Sequence, residues 1–426
     1  MIIRLFKRAL RVCAVLLIGG FVALFALTCV FRLQPRRMYE NLQSSIYTFR
    51  ADGQYPYVIR HHDSTMLDNF TDAVMINQAV FSHPDIGPLQ RAIYMYSWEL
   101  PGGRMKKTEN LVYLLENEPQ DMQLFGYGRY WHGYIAFLRP LLLFFNYEEL
   151  RIFICMIQIV LIGITVVLLG KRKKFALFIP FVGYILIISP TGTVLSLQYF
   201  CIHAITLCAC IALLNFAEKR TRLDTYEWFF FVIGMMTSFF DLLTYPVVSF
   251  GIPACLMICL RKDDSLKDQL LLFVRCGIMW CVGYLGFWVT KWLLGTWLGG
   301  ENLLANALWA VQRRTSDQVV EAGLSVLENR SDAILRNLEV LSTRSFYAAL
   351  AIALSIGVIR RLYCRDIEKP RLATVAPLLI VATIPFIWWW VTANHAYIHY
   401  WFTYRSISIT VFAVLACLYG ERKRQM

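Results

Sequence analysis

The sequence predicts an all-α polytopic membrane protein with about 10 transmembrane helices and both termini cytoplasmic (N-in/C-in). It also predicts a large helical extracytoplasmic loop after the first span and a second outer loop near 300–344. Three observations predict this. Hydrophobic residues make up 58% of the 426 and charged residues 17%, with a mean hydropathy of +0.50. A soluble domain usually carries about 25% charge. Ten segments are apolar over lengths near the roughly 20 residues that a hydrocarbon core requires. Basic clusters fall in every second gap between those segments, the pattern expected of cytoplasmic loops.

In order, the segments are 9–31, 149–170, 174–191, 195–217, 227–244, 246–261, 268–298, 345–363, 371–393 and 400–420. The first has the basic start and apolar core of a signal peptide. Its apolar run is longer than the usual ~7–15 residues and lacks a clear small-x-small cleavage site, so it reads as a retained helix. The short 246–261 segment is the one expected to tilt or re-enter the bilayer. The orienting clusters are Arg4, Lys7, Arg8 and Arg11; Lys171 to Lys174; Lys219, Arg220 and Arg222; Arg261, Lys262 and Lys267; Arg360, Arg361, Arg365, Lys369 and Arg371; and Arg422, Lys423 and Arg424. The gaps near 189–196, 241–246 and 394–399 contain no Lys or Arg. A basic cytoplasmic rim accounts for the +13 net charge, and no nucleic-acid partner is needed.

The 12 cysteines are scattered, mostly inside spans, with no CxxC metal spacing and no disulfide framework. They read as small buried apolar residues.

The chain is a single membrane domain, 1–426, with two outer segments too long to be connectors. The first, 32–148, shows helical periodicity over Met38–Phe49, Thr65–Phe81, Leu89–Trp98 and Lys107–Asn117, punctuated by prolines. Its apolar end, Tyr130 to Tyr147, suits the interface or a dip into the bilayer. The second, 300–344, reads as short amphipathic helices at Leu303–Arg314 and Val319–Leu327, followed by a connector helix.

The densest polar cluster runs from His61 to Asp72. Thr65 and Asp68 fit a capping box, which predicts a helix start. Asp68 and Asp72 then lie at i and i+4 on one face. Two carboxylates on one face suit a general base, or a base with a metal ligand. The plainer reading is a capping acid and a solvated neighbour. Ionisable residues within spans are costly in lipid and are candidates by default. Asp241 lies at the outer end of the fifth span, close to Tyr245. Lys291 is within the seventh, and His203 is in the outer half of the fourth. His395, His399 and Arg405 crowd the start of the tenth. All belong to the outer half. Packing ion pairs and an interfacial belt would explain any one of them. An outward-facing cavity with acidic and cationic groups explains them together. It suits an anionic ligand with a long apolar part: Lys291, Arg405 and His399 to hold a phosphate, and Phe- and Trp-rich spans to flank a lipid tail. The Trp388-Trp389-Trp390 triplet reads as interfacial anchoring.

A helical outer loop with acidic residues after the first span, many further spans, and basic or His residues at later outer span ends together resemble the GT-C superfamily of integral-membrane glycosyltransferases. The resemblance covers the chain at the level of architecture. In motif it rests on Asp68 and Asp72, with Asp63 as a substitute. It implies a polyprenyl-phosphate-linked sugar donor, an extracytoplasmic glycan, lipid or polymer acceptor, inversion at the anomeric carbon, and a multi-pass enzyme of the cell membrane with its site on the extracytoplasmic face. Asp68 or Asp72 would be the base. Arg405, His399 and Lys291 would bind the donor phosphate, with Asp241, His395, Tyr245 and His203 lining the substrate site. No cofactor is certain, and a divalent metal remains open without a convincing ligand set. Three rivals stand beside this reading. A polymerase or ligase of lipid-linked glycans would use Arg313 and Arg314. A transporter or flippase is disfavoured by the lack of a repeated half-pattern. A membrane acyltransferase has no need of two outer-loop carboxylates.

Overall fold

The structure, a computed structural model, describes residues 2–117, 119–217, 221–317, 329–363 and 371–419. The expected helix at Val319–Leu327 lies outside them, as do Lys219, Arg220, Arg365, Lys369, Arg422, Lys423 and Arg424 of the basic clusters.

The chain has the architecture of an α-helical membrane protein. Among the described residues, seven helices are long and apolar enough to cross a membrane: Phe6–Val30, Tyr147–Lys171, Leu197–Phe216, Leu266–Gly299, Arg344–Tyr363, Leu372–Val391 and Tyr400–Leu418. Phe175–Ile188 and Val248–Leu260 are apolar but shorter. The remaining expected segment, 227–244, lies largely on Leu223–Phe240, which carries Asp224 and Glu227 near its start.

Two of these helices, α12 (Leu223–Phe240) and α14 (Leu266–Gly299), pack backbone to backbone. Gly234 and Gly283 make this approach feasible. A Cβ on Gly234 would lie 2.2 Å from the Trp280 carbonyl oxygen, and one on Gly283 would lie 2.1 Å from that of Phe231. Small residues at such crossings let helix backbones meet where lipid supplies no hydrophobic drive.

The 32–148 segment shares one continuous hydrophobic core with the bundle helices, to which it contributes Met38, Phe49, Ile76, Phe81, Ile93, Trp98 and Leu111. Its helices are α2 (Arg36–Leu42), α3 (Ile46–Asp52), α4 (Asn69–Val80), α5 (Pro88–Tyr94), α6 (Lys107–Glu116) and α7 (Ile135–Leu142). The expected helix Leu89–Trp98 needs one correction here. Tyr96–Glu99 (β1) and Gln123–Gly126 (β2) form a two-stranded antiparallel sheet, with Tyr96 opposite Gly126 and Glu99 opposite Gln123. Met95 takes a left-handed conformation (φ 49°), which ends α5 and turns Tyr-Ser-Trp-Glu into a strand instead of a helix running to Trp98. Aromatic residues favour that extended state.

The helix start expected at Thr65 also moves. The Thr65 hydroxyl bonds the backbone of Ile59 and the carbonyl of His62, closing the preceding turn. Asp68 is the cap instead, accepting from the Thr71 amide at 2.9 Å, and α4 begins at Asn69.

Arg139 of α7 ties this segment to the first span. Its fully buried guanidinium donates to the carbonyls of Val30 and Leu33 at 2.9 and 2.5 Å, and to that of Ala79 in α4. In the 300–344 segment, α15 (Leu303–Arg314) matches the expected helix. α16 (Arg330–Glu339) packs on α19 (Ile384–Val391) and α20 (Ala393–Ile398) around Trp389. Trp389 is therefore a core residue, while Trp390 stays half exposed.

Candidate functional site

Asp68 and Asp72 are both buried, not solvated. They meet the N-terminus of α11 (Leu197–Phe216), whose own N-cap, Ser196, makes no side-chain cap and instead accepts from the Asp68 amide at 3.0 Å. The Asp72 carboxylate takes over that cap. It accepts from the Leu197 amide at 2.9 Å, the Gln198 amide at 3.4 Å and the Tyr147 hydroxyl at 2.6 Å. A carboxylate is well placed there, because a helix start presents unpaired N–H groups and a positive dipole end. Arg151 supports the arrangement by donating to the Tyr147 hydroxyl at 2.7 Å and to Asn69 at 3.0 Å.

Asp68 accepts from the Thr71 amide and hydroxyl and from the Gln198 side-chain amide. Burial pushes its carboxyl up to about 7; the bonds from Thr71 and Gln198 oppose this, and the charge of Asp72 adds to it. Burial likewise raises Asp72 to about 6, against the hydrogen bonds from Tyr147 and Leu197 and the charge of Arg151. Asp72 has a structural task as a borrowed helix cap. Asp68 is the group whose proton affinity matches near-neutral pH.

Arg405 lies on the other side of Tyr199, which is within electrostatic reach of Asp68, Asp72 and Arg405. The guanidinium stacks 4.2 Å from the Tyr199 ring centroid. Nε donates to the Ile188 carbonyl and Nη1 to that of Trp401, both at 2.9 Å. Nη2 is buried without a partner, as is the Tyr199 hydroxyl. Gly192 leaves the space beside Nη2: a Cβ there would come within 2.8 Å of it. The Tyr245 hydroxyl donates to the Tyr199 carbonyl, and the ring of Tyr245 lies 6.0 Å from the Arg405 guanidinium.

Asp241 is buried at the end of α12 and held by Thr244, whose amide and hydroxyl both donate to it. The intervening Leu243 has φ 68°, a strained conformation for a β-carbon-bearing residue. Its carbonyl accepts from His395 Nε2 at 2.6 Å. The His395 and His399 rings are 4.7 Å apart, and Arg314 donates to His399 Nε2 at 3.0 Å. Burial drives both imidazoles well below their ordinary range, so they are neutral. The Nδ1 atoms of both are buried without a partner. Tyr130 is an electrostatic neighbour of Arg314, Arg129 and Asp241 alike.

The other expected site residues have partners of their own. Lys291 donates to the carbonyls of Ala92 and Ile93 at 3.1 and 2.8 Å, closing the C-terminal end of α5. Asp63 is half-buried beside Tyr57 and Tyr400. His203 pairs with the Tyr184 hydroxyl at 2.7 Å, inside α11. Sequence reasoning missed Tyr147, Arg151, Gln198 and Tyr199. Arg151 carried a signal: it is a cation at the start of an apolar segment. Among the described residues, no group of three or more His, Cys, Asp or Glu side chains is placed to hold a metal ion.

An apolar groove lies beside α11, the helix that Asp72 caps. It has a volume of about 840 Å³ and runs between α7 and α8 (Tyr147–Lys171) on one side and α11 and α12 on the other. Phe137, Ile157, Ala204, Cys208 and Met236 are among its lining residues. Tyr134, Leu197 and Cys201 also line it. Of these, Leu197 donates its amide to Asp72, and Cys201 is an electrostatic neighbour of both Asp241 and Asp72.

No family model matches the chain, and neither a curated protein nor a solved structure matches it.

Proposed function

We propose that the chain is a ten-span GT-C-like glycosyltransferase with cytoplasmic termini. It moves a sugar from a polyprenyl-phosphate donor to an acceptor hydroxyl on the outer face, where 32–148 and 300–344 lie. The observation that carries this reading is the groove: an apolar cleft of about 840 Å³ whose lining residues Leu197 and Cys201 neighbour the buried Asp72. A ligand with a long hydrocarbon tail and a reacting polar head suits that combination. Asp68 is assigned as the base that takes the acceptor proton. Arg405, through its unpartnered Nη2, is assigned to the donor phosphate, where charge develops on the leaving group. The folded outer loop over the site would keep water from competing with the acceptor.

A polymerase or ligase of lipid-linked glycans is the second reading. Arg314 against His399 favours it, since that pair adds a cation that has Tyr130 as a neighbour in common with Asp241, for a second phosphate-bearing substrate. Both readings place the donor tail in the groove.

The test is transfer of a labelled sugar from polyprenyl-phosphate donors by the purified protein in liposomes. Ala204→Trp narrows the groove. It should strongly slow transfer from a long-chain donor while sparing a short-chain one. No transfer from any polyprenyl-phosphate sugar, with or without lipid-linked acceptors, would remove both readings. Movement of the intact donor across the bilayer without transfer would make the protein a flippase.

A further inference from the structure

At the opposite end of α1 (Ile2–Val30) from the 32–148 segment, a cleft of about 290 Å³ opens between α1 and α12, lined by Lys7, Arg8, Arg11, Asp224 and Trp228. Lys7 and Arg11 are one helical turn apart and share a face. The carboxylates beside the cleft are matched by other cations. Asp224 takes a two-pronged contact from Arg222, at 3.1 and 2.8 Å. The fully buried Glu227 pairs with Arg8 and, at 2.6 Å, with Arg275 of α14. Among the described residues, Lys7 and Arg11 have no carboxylate partner, so the cleft has an excess of positive charge.

Its depth is informative as well. Lys7 and Arg11 stand at the start of the apolar run Phe6–Val30, where a span leaves the hydrocarbon. Trp228 supplies the half-buried indole that membrane interfaces favour. A bilayer places lipid phosphates at this level. Glu227 holds Arg8 in position, so the cationic wall is built before any ligand arrives.

We infer that this cleft binds the phosphate headgroup of an anionic phospholipid, held by Lys7, Arg8 and Arg11 with Trp228 against the glycerol region. The bound lipid would fasten α1 to α12 and α14 through the Arg8–Glu227–Arg275 bridge. This inference is independent of the glycosyltransferase reading.

The test uses the purified full chain in neutral detergent, followed by native mass spectrometry and thermal melting. Phosphatidylglycerol, phosphatidylcholine and inorganic phosphate are titrated separately. Phosphatidylglycerol should bind and raise the melting temperature, and phosphatidylcholine should not. Each surface cation contributes on a scale that makes Lys7→Gln/Arg11→Gln roughly thirtyfold weaker for phosphatidylglycerol, and Arg11→Gln alone about fivefold weaker. Lys171→Gln/Lys173→Gln, in a different basic cluster, should bind as the unaltered protein does. If the double variant does not fold, the single variant supplies the comparison. Unchanged phosphatidylglycerol affinity in the variants, or equal binding of phosphatidylcholine, overturns the inference. Equal protection by inorganic phosphate alone would make this a free-phosphate site and overturn the lipid assignment.

Discussion

Asp68→Asn separates the capping role of this carboxylate from the catalytic role proposed for it. As the cap of α4, Asp68 accepts from the Thr71 amide at 2.9 Å. Asparagine caps helices about as well as aspartate, so the cap survives. The second carboxylate oxygen accepts from the Thr71 hydroxyl and the Gln198 amide. An asparagine amide nitrogen there would require the Gln198 amide to turn its oxygen inward, a rearrangement within one hydrogen bond's worth, about 1 kcal/mol. Removing a buried charge offsets part of that. Stability should therefore change by no more than about 1 kcal/mol, while loss of proton acceptance should slow transfer by roughly 10²–10⁴-fold. The assay is sugar transfer from a polyprenyl-phosphate donor, normalised to monodisperse folded protein. Because burial lifts this carboxyl to about 7, the transfer rate of the unaltered protein should climb with pH toward neutrality and then level off. The residual rate of the variant should lack that rise. A variant with a near-normal rate, or one that keeps the same acid limb, would show that the base is another group, with Asp241 the next to test.

Asp72→Ala should act chiefly on stability. It removes the acceptor that caps α11 and that the Tyr147 hydroxyl donates to, costing about 2 kcal/mol, which thermal melting would read as a clear drop in midpoint. Asp68 and Asp72 have folded-state carboxyls raised from 3.8 to about 7 and about 6, so folding takes up protons between those values. Their contribution to stability is full below about pH 4 and is lost as pH rises through 6–7. The melting midpoint of the unaltered protein should fall across that window, and the Asp68→Asn/Asp72→Asn double variant should flatten the fall. Gly234→Ala should force α12 and α14 apart and cost about 1–3 kcal/mol. Gly163→Ala has no atom within 4 Å of the added carbon and should leave the melting midpoint unchanged or raise it.

The helices of the bundle were legible because their signals are one-dimensional. An apolar run such as Phe6–Val30 or Tyr147–Lys171 announces itself without knowledge of its neighbours. The strand Tyr96–Glu99 was not legible: four residues are too few for alternation to show, and the helix before it supplies a competing period. In the candidate site, Asp68 read as a cap and is one, three residues later than the expected helix start. The role of Asp72 was hidden because its partners Leu197 and Gln198 are 125 and 126 residues away. Lys291 shows the same limit. A cation inside a span suggested a phosphate ligand or an ion pair with Asp241. In the fold its ammonium meets two carbonyls at the end of α5, and Asp241 is held by Thr244. Tertiary contacts settle what such a residue does, and residue type alone does not.

The most direct test of the central claim is an experimental structure of the protein in a lipid nanodisc with a non-transferable polyprenyl-phosphate sugar analogue. The account predicts isoprenoid density in the groove between α7–α8 and α11–α12, with Ala204 and Phe137 against the tail. It places the phosphate at Nη2 of Arg405 and the sugar beside Asp68. A tail seated elsewhere on the bundle, or a headgroup remote from both residues, would contradict it.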